Sequence, residues 1–438
     1  MPVSRPFIGG LFCHQFEGFP HVERRMRIVV FMVVFMAFMG IAMPYPIMTP
    51  LLLSGDLASP FSAQVALGLA LAVYPLGLFF GGGFLGSFSD KYGRRPVLLF
   101  SLVLTTMGMV WSGWAIHQGD FWQLVLSRLV TGFFEANGSI ARAMLIDVEK
   151  GQSKASSFAL LSVGGYSGYL FGPVLGGFLA EWGNEVPFLI AGLMGLVALI
   201  LAALWLPETN AKIKSRQSGQ VLQSRPSLYV MLRDHAMFRR LLAAQFLLTI
   251  GINTFYQFYP MMLTQRWGAG PRVIAEINMY FTASMIFFAV IGVRWLERIM
   301  PLGKKLILGG TCHALLMLVI LTAETPGAGI FIATFIGFAV AIMNAAIPAF
   351  LSRETPSLGQ GAVMGALTSS FCLAQAFISV AGGWIASDGA TGNSSVMLAN
   401  WRFENWELTF LVGSIATLMG VVLVQRIRRR AKAFGVAE

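Results

Sequence analysis

Runs of about twenty apolar residues recur along this chain between short polar breaks, and that recurrence limits the possible folds more than any single motif does. A helix of about twenty residues crosses roughly 30 Å of hydrocarbon, and a soluble core has no use for a dozen such runs. They fall near 27–53, 63–88, 96–117, 121–147, 155–182, 186–206, 239–265, 274–296, 304–324, 327–351, 361–387 and 405–426. Composition agrees: 56% of the 438 residues are hydrophobic and 12% are charged, with a mean hydropathy of +0.70. Helices satisfy their backbone polar groups internally where lipid offers no partner. The expected fold is therefore an all-α integral membrane protein with twelve transmembrane helices. Residues 1–26 lack a short apolar stretch ending in a small-residue cleavage site, so the first span is expected to be retained.

The formal charge of +11 raises nucleic acid as a partner, but the position of the charge decides otherwise. If the N-terminus is cytoplasmic, 26 of the 31 Lys and Arg fall in segments on that side, and only Arg266, Arg272 and Arg402 fall in outside loops. This is the positive-inside pattern. It predicts a multi-pass protein of the cell inner membrane with both termini cytoplasmic, lipid headgroups beside its basic loops and no nucleic acid. Cys13, Cys312 and Cys372 are too scattered for a disulfide framework, and the five histidines do not cluster as metal ligands.

"GGGFLG" at 81–86 fits G-x-G-x-x-G, yet it lies inside an apolar span, and the twenty-odd residues after Asp90 contain no acid. A dinucleotide site is excluded. The residues that follow say more. Gly86-x-x-x-Asp90-x-x-Gly93-Arg94-Arg95 resembles the loop between helices two and three of the major facilitator superfamily, with Phe88 where Leu is usual. The resemblance implies that Gly86, Asp90, Gly93, Arg94 and Arg95 form a cytoplasmic gate latching two halves, and that Asp147 anchors the cytoplasmic end of span four. Internal repeats point the same way. Gly292, Glu297-Arg298 and Gly303-Lys304-Lys305 echo the first gate motif, placing Glu297 and Arg298 in a second one, and "GGFLAEW" at 176–182 returns as "GGWIASD" at 382–388. The offsets, 207 for Glu297 against Asp90 and 206 for Gly382 against Gly176, argue for two pseudo-symmetric six-helix bundles. The expected organisation is a cytoplasmic segment 1–26, a first bundle 27–210, a cytoplasmic linker 211–238, a second bundle 239–426 and a basic tail 427–438.

Charges inside a membrane are costly and mark function by default. Span four carries Arg128, Glu135 and Arg142 at intervals of seven, which places them on one face of a continuous helix, turned toward a central cavity. Arg128-Leu-Val-Thr131-Gly132 resembles the superfamily's fourth-helix motif, with Thr in place of Gln. The resemblance gives Arg128 a part in proton transfer. Glu135 is the expected proton carrier with Arg128 as its partner, and the alternative is that Glu135 permanently neutralises an arginine. In span five, Gly168-x-x-x-Gly172-Pro173-x-x-Gly176-Gly177 resembles the family's antiporter motif, although Ala159 stands where its longer form has Gly. Without directional meaning, such glycines still allow close helix packing.

Span one holds no acid, which argues against cationic cargo, and the two buried arginines suit anionic or zwitterionic cargo. Arg142, Asn253, Tyr256, Gln257, Asn278, Asn344 and Gln375 are candidate cavity-wall residues; for the amides and Tyr256 the alternative is helix-to-helix hydrogen bonding. No G-x-x-x-x-G-K-[ST] appears, so no cofactor is expected and a proton gradient supplies the energy. The expectation is a monomeric secondary transporter, not an enzyme, nearest the superfamily's drug/proton antiporter branch and exporting a small amphiphilic molecule. The alternatives are a siderophore or organic-anion exporter of the same fold, a symporter or facilitator importing a nutrient, and a non-transporting membrane receptor or membrane enzyme.

Overall fold

The computed structural model describes residues 21–135, 137–148, 153–210, 228–355, 358, 360–387, 395–398 and 401–433. In chain order its helices are α1 His21–Ala42, α2 Tyr45–Leu53, α3 Ala63–Tyr92, α4 Arg94–His117, α5 Phe121–Phe134, α6 Asn137–Val148, α7 Ser153–Leu179 and α8 Val186–Trp205. After them come α9 Leu228–Asp234, α10 Ala236–Trp267, α11 Pro271–Val290, α12 Gly292–Ile299, α13 Leu302–Val319, α14 Pro326–Glu354, α15 Gln360–Ile385 and α16 Asn405–Ala433. Among the described residues, nine helical segments are long and apolar enough to cross a membrane. The other three expected spans also hold helices. Span four is divided between α5 and α6, span five is α7, and span eight is α11, whose first turns carry Arg272, Glu276 and Asn278.

Apolar side chains face outward as well as inward. Only 28% of the apolar window of α8 is buried, and Leu193, Leu204 and Trp205 lie on its exposed surface. That is ruinous in water and ordinary in lipid, where burial offers no hydrophobic gain and close packing holds helices together. Gly168 and Gly172 of α7 show such packing. A Cβ at Gly168 would sit 2.6 Å from the Phe35 carbonyl oxygen, and one at Gly172 would sit 2.6 Å from that of Met39. The expected stripe on span five is thus a seam against α1, continued by Gly176 against Met43, while Gly177 meets Ala275 across the molecule.

Packing repeats with a six-span offset. α1 pairs with α7 and α8 as α10 pairs with α15 and α16, and α4 pairs with α8 as α13 pairs with α16. Two further pairings join the halves, α3 with α15 and α7 with α11. These joints lie at one end of the bundle. There a Cβ on Gly68 of α3 would collide with the Ser379 carbonyl of α15, and Arg272 of α11 pairs with Glu181 at 2.7 Å. Toward the other end, Gly82, Gly83 and Gly86 of α3 and Gly365 of α15 have nothing beyond their own helices within 4 Å of an added Cβ. Among the described residues, the halves touch at the first end, while these glycine faces at the other end meet no neighbour.

Two elements depart from expectation. A two-stranded antiparallel hairpin, β1 Ser395–Leu398 with β2 Trp401–Glu404, precedes α16. Residues 211–227 of the expected linker lie outside the described residues, and the rest of it, except His235 between them, is already helical, as α9 and the start of α10.

Candidate functional site

The charged face of span four is not built on one continuous helix. α5 stops at Phe134, where Glu135 takes φ −78° and ψ 54° and its N–H reaches the Gly132 carbonyl at 3.2 Å. α6 begins at Asn137, next to Gly138, both poor helix formers. Arg128 on α5, Glu135 at the break and Arg142 on α6 nonetheless line one cavity of about 270 Å³ with Tyr45, Tyr74 and Tyr169. Their convergence is as expected; the uninterrupted helix behind it is corrected.

The expected contact between Arg128 and Glu135 is corrected too. Arg128 is 6% exposed, and its guanidinium lies over the Tyr74 ring at 4.6 Å. Its Nη1 approaches the Met109 sulfur at 4.0 Å, its Nε has no hydrogen-bond partner, and no carboxylate of the described residues pairs with it within 4 Å. Glu135 instead accepts a hydrogen bond from Asn137 Nδ2 at 2.8 Å. That amide is oriented from behind, because Ser101 Oγ donates to Asn137 Oδ1 and Asn137 Nδ2 also donates to Thr105 Oγ1 at 3.3 Å. The helix break turns the carboxyl toward this network rather than along the α5 face. Arg142 lies over Phe38 at 5.3 Å.

A second chamber of about 210 Å³ adjoins the first and shares Tyr45, Tyr169, Phe371 and Gln375 with it. Asn253, Tyr256, Asn278 and Asn344 line it as expected. Gln257 does not line either chamber. It accepts from Ser379 Oγ at 2.6 Å and donates to the Gln375 carbonyl at 3.4 Å, so for this residue helix-to-helix bonding wins. Gln375 Nε2 donates to the Tyr45 hydroxyl at 2.9 Å, bridging the two halves.

The basic turn after α3 is a third site. Arg94 pairs with Asp90 at 2.6 Å and with Asp147 at 3.2 Å, and donates to Ser89 Oγ at 2.7 Å. The N–H groups of Arg94 and Arg95 donate at 3.0 Å each to Glu208, whose carboxylate caps the start of α4. Gly93 alone joins α3 to α4, and its φ of +114° favours a residue without Cβ. Arg95 donates to the Ala203 carbonyl at 2.7 Å, and Asn210 donates to the Asp90 carbonyl at 3.0 Å. Among the described residues these partners lie between residues 89 and 210, so the contacts tie segments of the first half to one another and no described contact latches this cluster to the second half. In the second half, Glu297 and Arg298 fall on α12, and their side chains lie outside the described residues. Sequence reasoning missed Glu208, Asn210, Asn137, Tyr45 and Tyr74; only Asn137 left a local signal, the turn-prone Asn137-Gly138.

A family model described as the Major Facilitator Superfamily matches residues 30–378 and 241–436. The chain belongs to that superfamily. It is a multi-pass membrane protein of a transporter family. Among curated relatives, the class B tetracycline resistance protein of Escherichia coli is 32% identical over 176 residues, 39% of this chain and 42% of that protein. The matches to such tetracycline resistance proteins span less than half of their length. The quinolone resistance protein NorA of Staphylococcus aureus is 25% identical over 317 residues, 71% of this chain and 76% of that protein. Among solved structures, a D-xylose-proton symporter superposes with a TM-score of 0.74 at 16% identity, covering 91% of this chain and 96% of that one. At that identity the likeness shows the fold alone.

Proposed function

We propose that this superfamily member is a proton-coupled exporter of a small amphiphilic compound, with Glu135 as the proton site. One observation carries the reading. Glu135 is a buried carboxyl, 9% exposed, on the wall of the central cavity, and no cationic nitrogen of the described residues pairs with it within 4 Å. A carboxyl locked to an arginine stays ionised, whereas one held by an amide is free to gain and lose a proton as its surroundings change. The resistance named in the relatives supports export.

By the positive-inside rule, the end where the glycine faces of α3 and α15 meet no neighbour faces the cytoplasm, as do both termini, in a cell inner membrane. Cargo enters there, and the opposite end is closed by the Gly68–Ser379 and Arg272–Glu181 contacts. Rocking of the two halves then exposes the same cavity outside. The Asp90, Arg94, Asp147 and Glu208 cluster keeps the inner ends of the first half together, so that this half moves as one body. The unit is a monomer in contact with lipid, with no cofactor.

Inverted vesicles loaded with acid and a pH-sensitive dye test the reading, with tetracycline, a quinolone and a panel of anionic, zwitterionic and cationic solutes. Solute-dependent proton release that disappears in Glu135→Gln is expected. Equal solute movement without a gradient and in Glu135→Gln refutes it.

One observation favours a second reading, an organic-anion exporter of the same fold: Arg128 lines the cavity as a buried cation with no carboxylate partner among the described residues. Release confined to the anionic members of the panel, and lost in Arg128→Gln, would select it.

A further inference from the structure

A second, small pocket of about 20 Å³ inside the first half also reaches Glu135, sharing Ala37 and Glu135 with the wall of the larger cavity. α1, α4 and α8 enclose it through Met36, Gly40, Thr105, Thr106, Met109 and Gly195, and Glu135 and Asn137 complete its wall. Most of that wall is apolar; the exceptions converge. Threonine in a membrane helix ordinarily spends its hydroxyl on the carbonyl four residues back. Thr105 does so, donating to the Ser101 carbonyl at 3.0 Å. Thr106 does not: its Oγ1 is buried and has no hydrogen-bond partner among the described residues. It points toward α8, where a Cβ on Gly195 would lie 2.5 Å from it. Leaving a buried hydroxyl unsatisfied forfeits its hydration with nothing in return. Glu135 has a matching surplus, because the Asn137 amide engages only Oε1.

A buried water needs about 10–15 Å³ and two to four polar partners. This pocket supplies the room and two groups with capacity to spare, Thr106 Oγ1 and the Glu135 carboxyl; the Asn137 amide and Thr105 Oγ1 also line it but are engaged with each other, with Glu135 and with Ser101. We propose that it is a binding site for one structural water, held between Thr106 and Glu135, which makes Thr106 a positioning residue for the proton-carrying carboxyl. The inference rests on the reading of Glu135 as the proton site. A water donates to a carboxylate and accepts from a carboxylic acid. It therefore keeps Glu135 hydrogen-bonded in both protonation states, even when cargo has driven solvent out of the main cavity. The groups facing Glu135 from the cavity are Arg128, Arg142, Tyr74, Tyr45, Tyr169 and Cys372. From the water pocket only neutral, non-titrating groups face it.

Two measurements on the full-length protein test this. A structure at a resolution that shows ordered water is expected to place one within hydrogen-bond distance of Thr106 Oγ1 and a Glu135 oxygen. An ordered Thr106 with no density beside it overturns the site, whatever the transport assay shows. An infrared titration of the carboxyl band that vanishes in Glu135→Gln is the second. Removing one hydrogen bond to a charged group makes Thr106→Val hold its Glu135 proton roughly tenfold more tightly. Gly195→Ala, which fills the pocket and deletes no polar group, is expected to act in the same direction. Titrations of both variants that match the wild type overturn the positioning role. If wild-type Glu135 does not titrate at all, the proton-site reading fails while the water density still decides the site.

Discussion

Gly172→Ala paired with Gly82→Ala isolates the worth of the seam between α1 and α7. At Gly172 a new Cβ would lie 2.6 Å from the Met39 carbonyl oxygen and 2.7 Å from Ala42 Cβ. Ordinary contact is about 3.5–4.0 Å, so the methyl group overlaps both neighbours by roughly 1 Å. Neither has a flexible tail that swings aside, and the helices must part along the seam. At Gly82 the same methyl meets nothing within 4 Å. Both changes gain the same helix propensity, about 1 kcal/mol for Ala over Gly, so their difference reports packing alone. Overpacking costs about 1–3 kcal/mol. Gly172→Ala should therefore unfold that much more readily than Gly82→Ala in a reversible detergent denaturation. Equal midpoints and slopes would refute the argument. Gly82→Ala carries a second expectation: stability at least that of wild type, with slower turnover if the open end closes over this face during each cycle.

Three further outcomes follow from single contacts. Glu208→Ala removes the carboxylate cap from α4 and should cost roughly 0.5–1 kcal/mol, read as a lower melting temperature; an unchanged melt would show that water replaces the cap at no loss. Gln257→Leu breaks the bond from Ser379 and should cost about 1 kcal/mol of stability while leaving solute affinity intact; an affinity loss in equilibrium binding would return Gln257 to the cavity wall. Asp120 caps α5, and the Gln123 backbone N–H that it accepts holds its carboxyl below the usual carboxylate range. Its contribution is thus full above the unfolded value near 3.9 and fades as pH falls through the lower folded value. Asp120→Ala should accordingly reduce stability at pH 7 but matter little in strong acid, as pH-dependent melts would register.

The membrane fold was legible because it rests on one-dimensional quantities: the length of apolar runs, the side on which Lys and Arg gather, and the offset between repeats. The site was half legible. Spacing by seven picked out Arg128, Glu135 and Arg142, since any roughly helical path brings such residues to one side. It did not reveal the break at Glu135, which depends on how Asn137 is bonded by Ser101 and Thr105 of a different helix. Glu208 was invisible for the same reason, its partners Arg94 and Arg95 lying 114 and 113 residues upstream. Gln257 was misplaced because a buried amide looks alike in sequence whether it faces cargo or Ser379.

The closed end of the molecule is held mainly by shape. Its Arg272–Glu181 pair is about half exposed, a contact worth about 0–1 kcal/mol that salt would screen. The fit of α3 against α15 at Gly68 and Gly383 leaves no room for a side chain. A single methyl group at Gly68 would act as a doorstop, propping this end ajar and weighting the resting population toward the opposite orientation. The fit at this end thus rests on a glycine more than 60 residues before Glu135 in sequence.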